Sequence, residues 1–214
     1  MRYLWAAVVV ALGCLVTGPA HADVAPATTV AADGFSVLLG SPDAPVQLEI
    51  FCEPQCPVCA QFEDASGGAL AHRIGNGELA VTYRWLTFLD QKRGTDKSDR
   101  IANALILAAD PATPPVAYQG FVNEIYRQQD AHSPSPSAAE LATMAARSGV
   151  GGMAIARIAI DLPAVDTAAM SSANMDRLKQ VNPDNPGTPT VYDLGSHTVV
   201  DVQDGGWLDA LFAS

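Results

Sequence analysis

The sequence has little positive charge: 12 lysines and arginines stand against 23 aspartates and glutamates among 214 residues, for a formal net charge of −11. That balance excludes the basic surface by which nucleic acid or an anionic membrane would be held. A long apolar run is also missing. The strongest, residues 4–16, falls short of the roughly 20 residues needed to cross a bilayer. No repeat with a period of roughly 20 to 50 residues occurs, which argues against a solenoid. Cysteine is scarce too, with Cys14 near the start and Cys52, Cys56 and Cys59 clustered. A pair as close as Cys56 and Cys59 closes almost no loop and stabilises little, so this is not a framework of structural disulfides. Such a pair does redox chemistry or binds metal.

The chain begins as a secretory signal does. Arg2 supplies the positive start, residues 4–16 the apolar stretch, and Ala20-His21-Ala22 the small-x-small pattern that places cleavage before Asp23. An alternative makes Cys14, preceded by Gly13, the lipid-modified residue of a lipoprotein. Residues 23–34 are rich in Ala, Thr and Pro and read as a disordered tether, with order beginning near Phe35. The chain beyond the signal is long enough for one domain with a sizeable core.

Residues 46–51 have the length and composition of a buried strand, 57–74 a helical pattern ended by Gly75 and Gly77, and 79–86 a second strand alternating Val81, Tyr83 and Trp85 with Thr82 and Arg84. Strand, helix and strand make a βαβ unit with parallel strands, spanning 35–97. Residues 98–180 are helical in character, with helices expected over 98–110, 118–129, 137–149, 152–161 and 165–180. Ser137 and Glu140 form the capping box of the third. Residues 181–214 complete the chain with two short strands, 190–194 and 197–202, joined through Gly195-Ser196, and a helix over 207–212. The sum is an α/β fold with a helical insertion.

The chemistry sits where the first strand meets its helix. In Cys56-Pro57-Val58-Cys59 the first thiol lies beside unpaired N–H groups and the positive end of the helix dipole, both of which favour thiolate, the species that attacks disulfides. Pro57 suits the first helical turn because it has no N–H to leave unpaired. Cys56 is therefore the expected nucleophile and Cys59, one turn deeper, the resolving thiol. The same spacing is half of a zinc site, but the second pair such a site needs is missing.

Together with Gly187-Thr188-Pro189-Thr190, the stretch from Gly40 to Val46 and residues 51–62, this motif resembles the DsbA-like family of thiol-disulfide oxidoreductases. The resemblance implies a thioredoxin-like fold, with a central mixed sheet and an inserted helical domain, and a protein exported to the periplasm or cell envelope or secreted. It implies activity on thiols or disulfides of other secreted proteins, with a membrane redox partner if the protein works as an oxidase. No cofactor or metal is implied. The family's roles carry over to Cys56, Cys59 and Pro189 as catalytic residues, the proline in cis, and to Thr188, Pro57 and Val58 as substrate-binding ones.

The chain departs from the family in three places. Many members carry an inward acidic residue six positions before the first cysteine; here stands Ile50, and the adjacent Glu49 should face the other way. The dipeptide Pro57-Val58 puts no histidine between the cysteines, which predicts a less oxidising centre than a Pro-His one. Cys52, four residues before Cys56, is either a small apolar residue at the strand end, a third active thiol or a ligand. In the last case Cys52-x-x-x-Cys56-Pro57 resembles the copper motif of the Sco proteins, with His132 completing a site. The same three cysteines match the cluster motif of radical SAM enzymes, a reading that the signal and the short chain oppose. His72 and His197 read as solvent-facing, and Trp85 and Trp207 as core or groove lining.

Overall fold

The structure is a computed structural model that describes residues 26–213. The signal, its cleavage point and Cys14 lie outside those residues. At the centre stands β3 (Val46–Cys52), paired along one edge with the parallel β4 (Leu79–Trp85) and along the other with the antiparallel β5 (Thr190–Asp193). The sheet is completed by β1 (Ala27–Val30) and β2 (Val37–Gly40) beyond β4, and by β6 (Thr198–Val200) beyond β5. Its order is β1-β2-β4-β3-β5-β6. A mixed sheet with a βαβ unit on one side and a hairpin on the other is the expected thioredoxin-like architecture.

Alternation decides which helix covers which face. Leu48, Ile50 and Cys52 of β3, with Val81, Tyr83 and Trp85 of β4, are fully buried in the main core with Phe62, Leu70 and Ile74 of α1 (Pro57–Gly75). Glu49 is turned away from them, as expected, and is buried under α7 (Thr167–Val181). There Arg177 forks onto it at 2.7 and 3.0 Å and Arg84 of β4 approaches at 2.5 Å. Phe51 lies in a second, small cluster with Leu86 and Leu178.

Five helices lie between β4 and α7: α2 (Phe88–Arg93), α3 (Lys97–Ala108), α4 (Pro115–Arg127), α5 (Ala138–Ser148) and α6 (Gly152–Ala159). The capping box at Ser137 is present, with Glu140 N–H donating to the serine hydroxyl and Ser137 N–H donating to the Glu140 carboxylate. The insertion docks through α4 onto α1. Gly67 permits the approach, since a Cβ there would stand 2.3 Å from Asn123 Oδ1. A short α8 (Trp207–Ala210) closes the chain, its Trp207 packed against Phe62 and donating to the Ser66 hydroxyl.

The structure corrects the tether. Residues 27–30 form an edge strand in register with β2, and Asp33 joins the fold by accepting from Ser36 and Arg84. Threonines and a valine supply β-prone residues there, but a four-residue edge strand is too short to show a period. For the same reason β2 and the six-residue α2 left no mark on the sequence pattern.

Candidate functional site

Cys56 is the N-cap of α1, with extended backbone (φ −76°, ψ 118°), followed by Pro57 at the first helical position. Its N–H donates to the Glu53 carbonyl at 3.0 Å, which folds residues 53–56 into a tight turn between β3 and the helix. Cys56 keeps 8% of its surface exposed, Cys59 none, and Val58 beside them 54%. All three cysteines of the region are free thiols.

The third wall of the site comes from far along the chain. Thr188, 132 residues after Cys56, presents its carbonyl to the Cys56 thiol at 3.4 Å, and the Thr188–Pro189 peptide bond is cis. An open groove of about 660 Å³ runs from there between α1 and the β5–β6 hairpin, lined by Val58, Phe62, Pro189, Val199 and Val202 among others. The structure thus brings Cys56, Cys59, Val58, Thr188 and Pro189 together, with Pro57 exposed on the rim. His132 is not brought in. It lies exposed in the loop after α4, and among the described residues no three His, Cys, Asp or Glu side chains converge on a metal site. The copper reading of Cys52, Cys56 and His132 gains no support. His72 and His197 are both exposed.

The three thiols lie in one buried cluster, with Cys59 acting on both Cys56 and Cys52. Cys56 is held above the ordinary thiol range, first by its interaction with the Cys59 side chain and then by burial; hydrogen bonds with Thr188 and with the Cys59 backbone work against the shift. Burial raises Cys59 as well, the Cys52 thiol adding to it. Cys56 is the more exposed of the two and the one a substrate can reach.

Two buried acids flank the pair, neither of which the sequence pattern singled out. Glu53 accepts from Gln55 N–H at 2.6 Å and from the Ser98 hydroxyl, and burial raises its carboxyl to about 7. Gln55 in turn donates to Asp90 at 2.7 Å and Ser98 at 2.9 Å, tying the turn to α2 and α3. Gln129 donates to the carbonyls of Pro54 and Cys56 at 2.8 and 3.2 Å, and the Tyr126 hydroxyl donates to the Glu53 carbonyl at 3.2 Å. Glu63, one turn beyond Cys59, accepts from Tyr83 at 2.8 Å and Gln119 at 2.7 Å; burial raises it, too, to about 7. Its spacing is a signal in retrospect. Residues 59, 62, 63, 66 and 70 share the buried face of α1, and an acid on that face is out of place unless it is paired.

A Cys-Pro-x-Cys pair capping the helix of a βαβ unit, faced by a cis-proline from an antiparallel hairpin, defines a thioredoxin fold, here with a helical insertion. A thioredoxin family model matches residues 33–201. The chain belongs to that family. Among solved structures, MdbA of Corynebacterium diphtheriae, a thiol-disulfide oxidoreductase, is 19% identical with a TM-score of 0.71, over 88% of this chain and 94% of MdbA. BdbD of Bacillus subtilis is 18% identical with a TM-score of 0.58, over 88% of this chain and 97% of BdbD. DsbA of Mycobacterium tuberculosis is 20% identical with a TM-score of 0.54, over 88% and 98%. The fold is DsbA-like. The serine/threonine-protein kinase PknE of M. tuberculosis is 33% identical over 181 residues, 82% of this chain and 31% of the kinase. The chain thus spans about a third of the length of the curated relatives it matches.

Proposed function

We propose that the protein is an exported thiol-disulfide oxidoreductase acting on thiols or disulfides of secreted proteins, with Cys56 as nucleophile and Cys59 as resolving thiol. The observation that carries this is the placement of Cys56: a partly exposed thiol at a helix N-terminus, with Cys59 behind it and hydrogen-bonded to the Thr188 carbonyl beside it. The activity of MdbA, a relative in fold, agrees with it. Secretion rests on the signal-like first 22 residues.

Electrons move in two exchanges. The Cys56 thiolate attacks one sulfur of a substrate disulfide, and the other sulfur leaves as a thiolate. Cys59 then loses its proton and attacks Cys56, closing the Cys56–Cys59 disulfide and freeing the second substrate thiolate, so two electrons pass to the substrate. Run backwards, the same steps oxidise a substrate dithiol. Thr188 and the groove beside it support an extended substrate chain, with backbone pairing at the cis-proline loop and apolar contact at Val58 and Phe62.

No histidine lies between the cysteines, and the Cys56 thiol is held above the ordinary range by Cys59 and burial, so the reduced form gains little from a stabilised thiolate. The centre should sit nearer the reducing end of the family scale, closer to about −270 mV than to about −120 mV. Equilibration of the purified protein against glutathione and dithiothreitol ratios measures this, and insulin reduction reads the activity. Cys56→Ser is expected to bring insulin reduction to background. Retained activity in that variant removes the assigned nucleophile.

A further inference from the structure

Cys52 takes no part in the exchange just described, yet it stands against the centre. It is the last residue of β3, held there by Leu86 N–H donating to its carbonyl at 2.9 Å, and it is fully buried. Its thiol neighbours that of Cys59, with the Tyr126 hydroxyl and the Glu63 carboxyl also near it. Cys59 is the thiol that acts most strongly on each of the other two. A small apolar residue would fill the strand end equally well. A thiol beside a pair that can form a disulfide does more.

We propose that Cys52 is a third redox residue: in the oxidised centre it attacks Cys59, breaking the Cys56–Cys59 bond, forming a buried Cys52–Cys59 disulfide and returning Cys56 as a free thiol. The exchange is an isomerisation. One S–S bond breaks and one forms, the proton lost by Cys52 is regained at Cys56, and no oxidant or reductant enters. Burial raises the Cys52 thiol and slows the step, while the nearby Tyr126 hydroxyl works against that shift. The result is a protein that is oxidised and yet presents a nucleophile. With Cys59 occupied, a substrate captured by Cys56 is not released by intramolecular resolution and stays attached long enough to rearrange its own disulfides. This extends the proposed oxidoreductase reading, on which it rests.

The test uses the whole exported chain, oxidised through Cys56–Cys59 and freed of oxidant, then held under native conditions with iodoacetamide. Cys56 is partly exposed and Cys52 is not, so only the rearranged molecule takes the label. Fragmentation mass spectrometry without reduction is expected to find the label on Cys56 and a bond between Cys52 and Cys59, accumulating over hours, and Cys52→Ala is expected to lose that label entirely. If the oxidised protein stays unlabelled while reduced protein is labelled to completion, or if labelling survives in Cys52→Ala, the proposal is overturned. Insulin reduction by unlabelled protein reads the Cys56–Cys59 chemistry separately. Its absence removes the oxidoreductase reading, whereas its presence without a Cys56 label removes only the third thiol.

Discussion

Three side chains near the centre have ionisations that can be followed directly. Cys56 is held above the ordinary thiol range by the Cys59 side chain and by burial, so thiolate is a minor species at neutral pH. Alkylation of the reduced protein by iodoacetamide should therefore rise about tenfold per pH unit from about 6 to about 9, because the rate follows the thiolate fraction. A plateau below about pH 7 would contradict it. Glu53 and Glu63 shift in the opposite sense to a salt-bridged carboxylate: burial lets the folded chain keep their protons to about pH 7, whereas the unfolded chain releases them near 4.5. The native state binds more protons in that window, so stability falls as pH rises from about 4.5 to about 7 and levels off above it. The slope is roughly 1.4 kcal/mol per pH unit for each group. Thermal melts should show a higher Tm at about pH 5 than at about pH 7.5, and Glu63→Gln should flatten the dependence. The placement of the cysteines at a helix N-terminus was legible from their spacing taken together with the βαβ pattern around them and with Pro189. Glu53 and Glu63 were not, because nothing local tells a buried acid from a solvated one; that depends on Ser98, Tyr83 and Gln119 arriving from elsewhere.

Elements announced themselves in proportion to length and to the strength of their ends. Helix α5 was legible to its first residue, since Ser137 and Glu140 satisfy each other's backbone N–H groups and Gly149 adopts the left-handed conformation that stops the helix. Ser137→Ala should cost about 1 kcal/mol, measured by urea denaturation. The packing of α1 on α4 was hidden, because Gly67 within a helix reads as a weakness until Asn123 is seen against it. A larger side chain has to push that helix pair apart. Gly67→Leu should destabilise by roughly 1–3 kcal/mol in the same measurement. Strands β1 and β2 and helix α2 show the lower limit: four to six residues hold at most one turn or two alternations, too few to distinguish from composition.

On the scale of the whole molecule, polar networks join parts that the hydrophobic core leaves separate. Asp90 of α2 accepts from Gln55, Thr95 and the Ser98 and Asp99 N–H groups, so one carboxylate holds both the α2–α3 corner and the turn that carries Cys56. Asp90→Ala strands these donors and should cost about 3 kcal/mol or more, with hydrogen exchange rising in α2 and in residues 53–56 together. The division into a βαβ unit, a helical block and a returning hairpin came from the order of periods along the chain. The way the block grips the site did not, since Gln129, Tyr126 and Asp90 reach it through loops and helix ends rather than through any repeat.

The contact between Cys56 and the Thr188 carbonyl closes a loop of 132 residues. A chain growing from its N-terminus exposes its reactive cysteines long before the residue that faces them has been made, with the whole helical block still to fold in the interval. Closure over so long a span is slow by loop entropy alone. Throughout that time the cysteines belong to a half-built molecule, open to pairing with the wrong partner. A protein proposed to handle disulfides is thus, while it is being made, one of their more vulnerable clients.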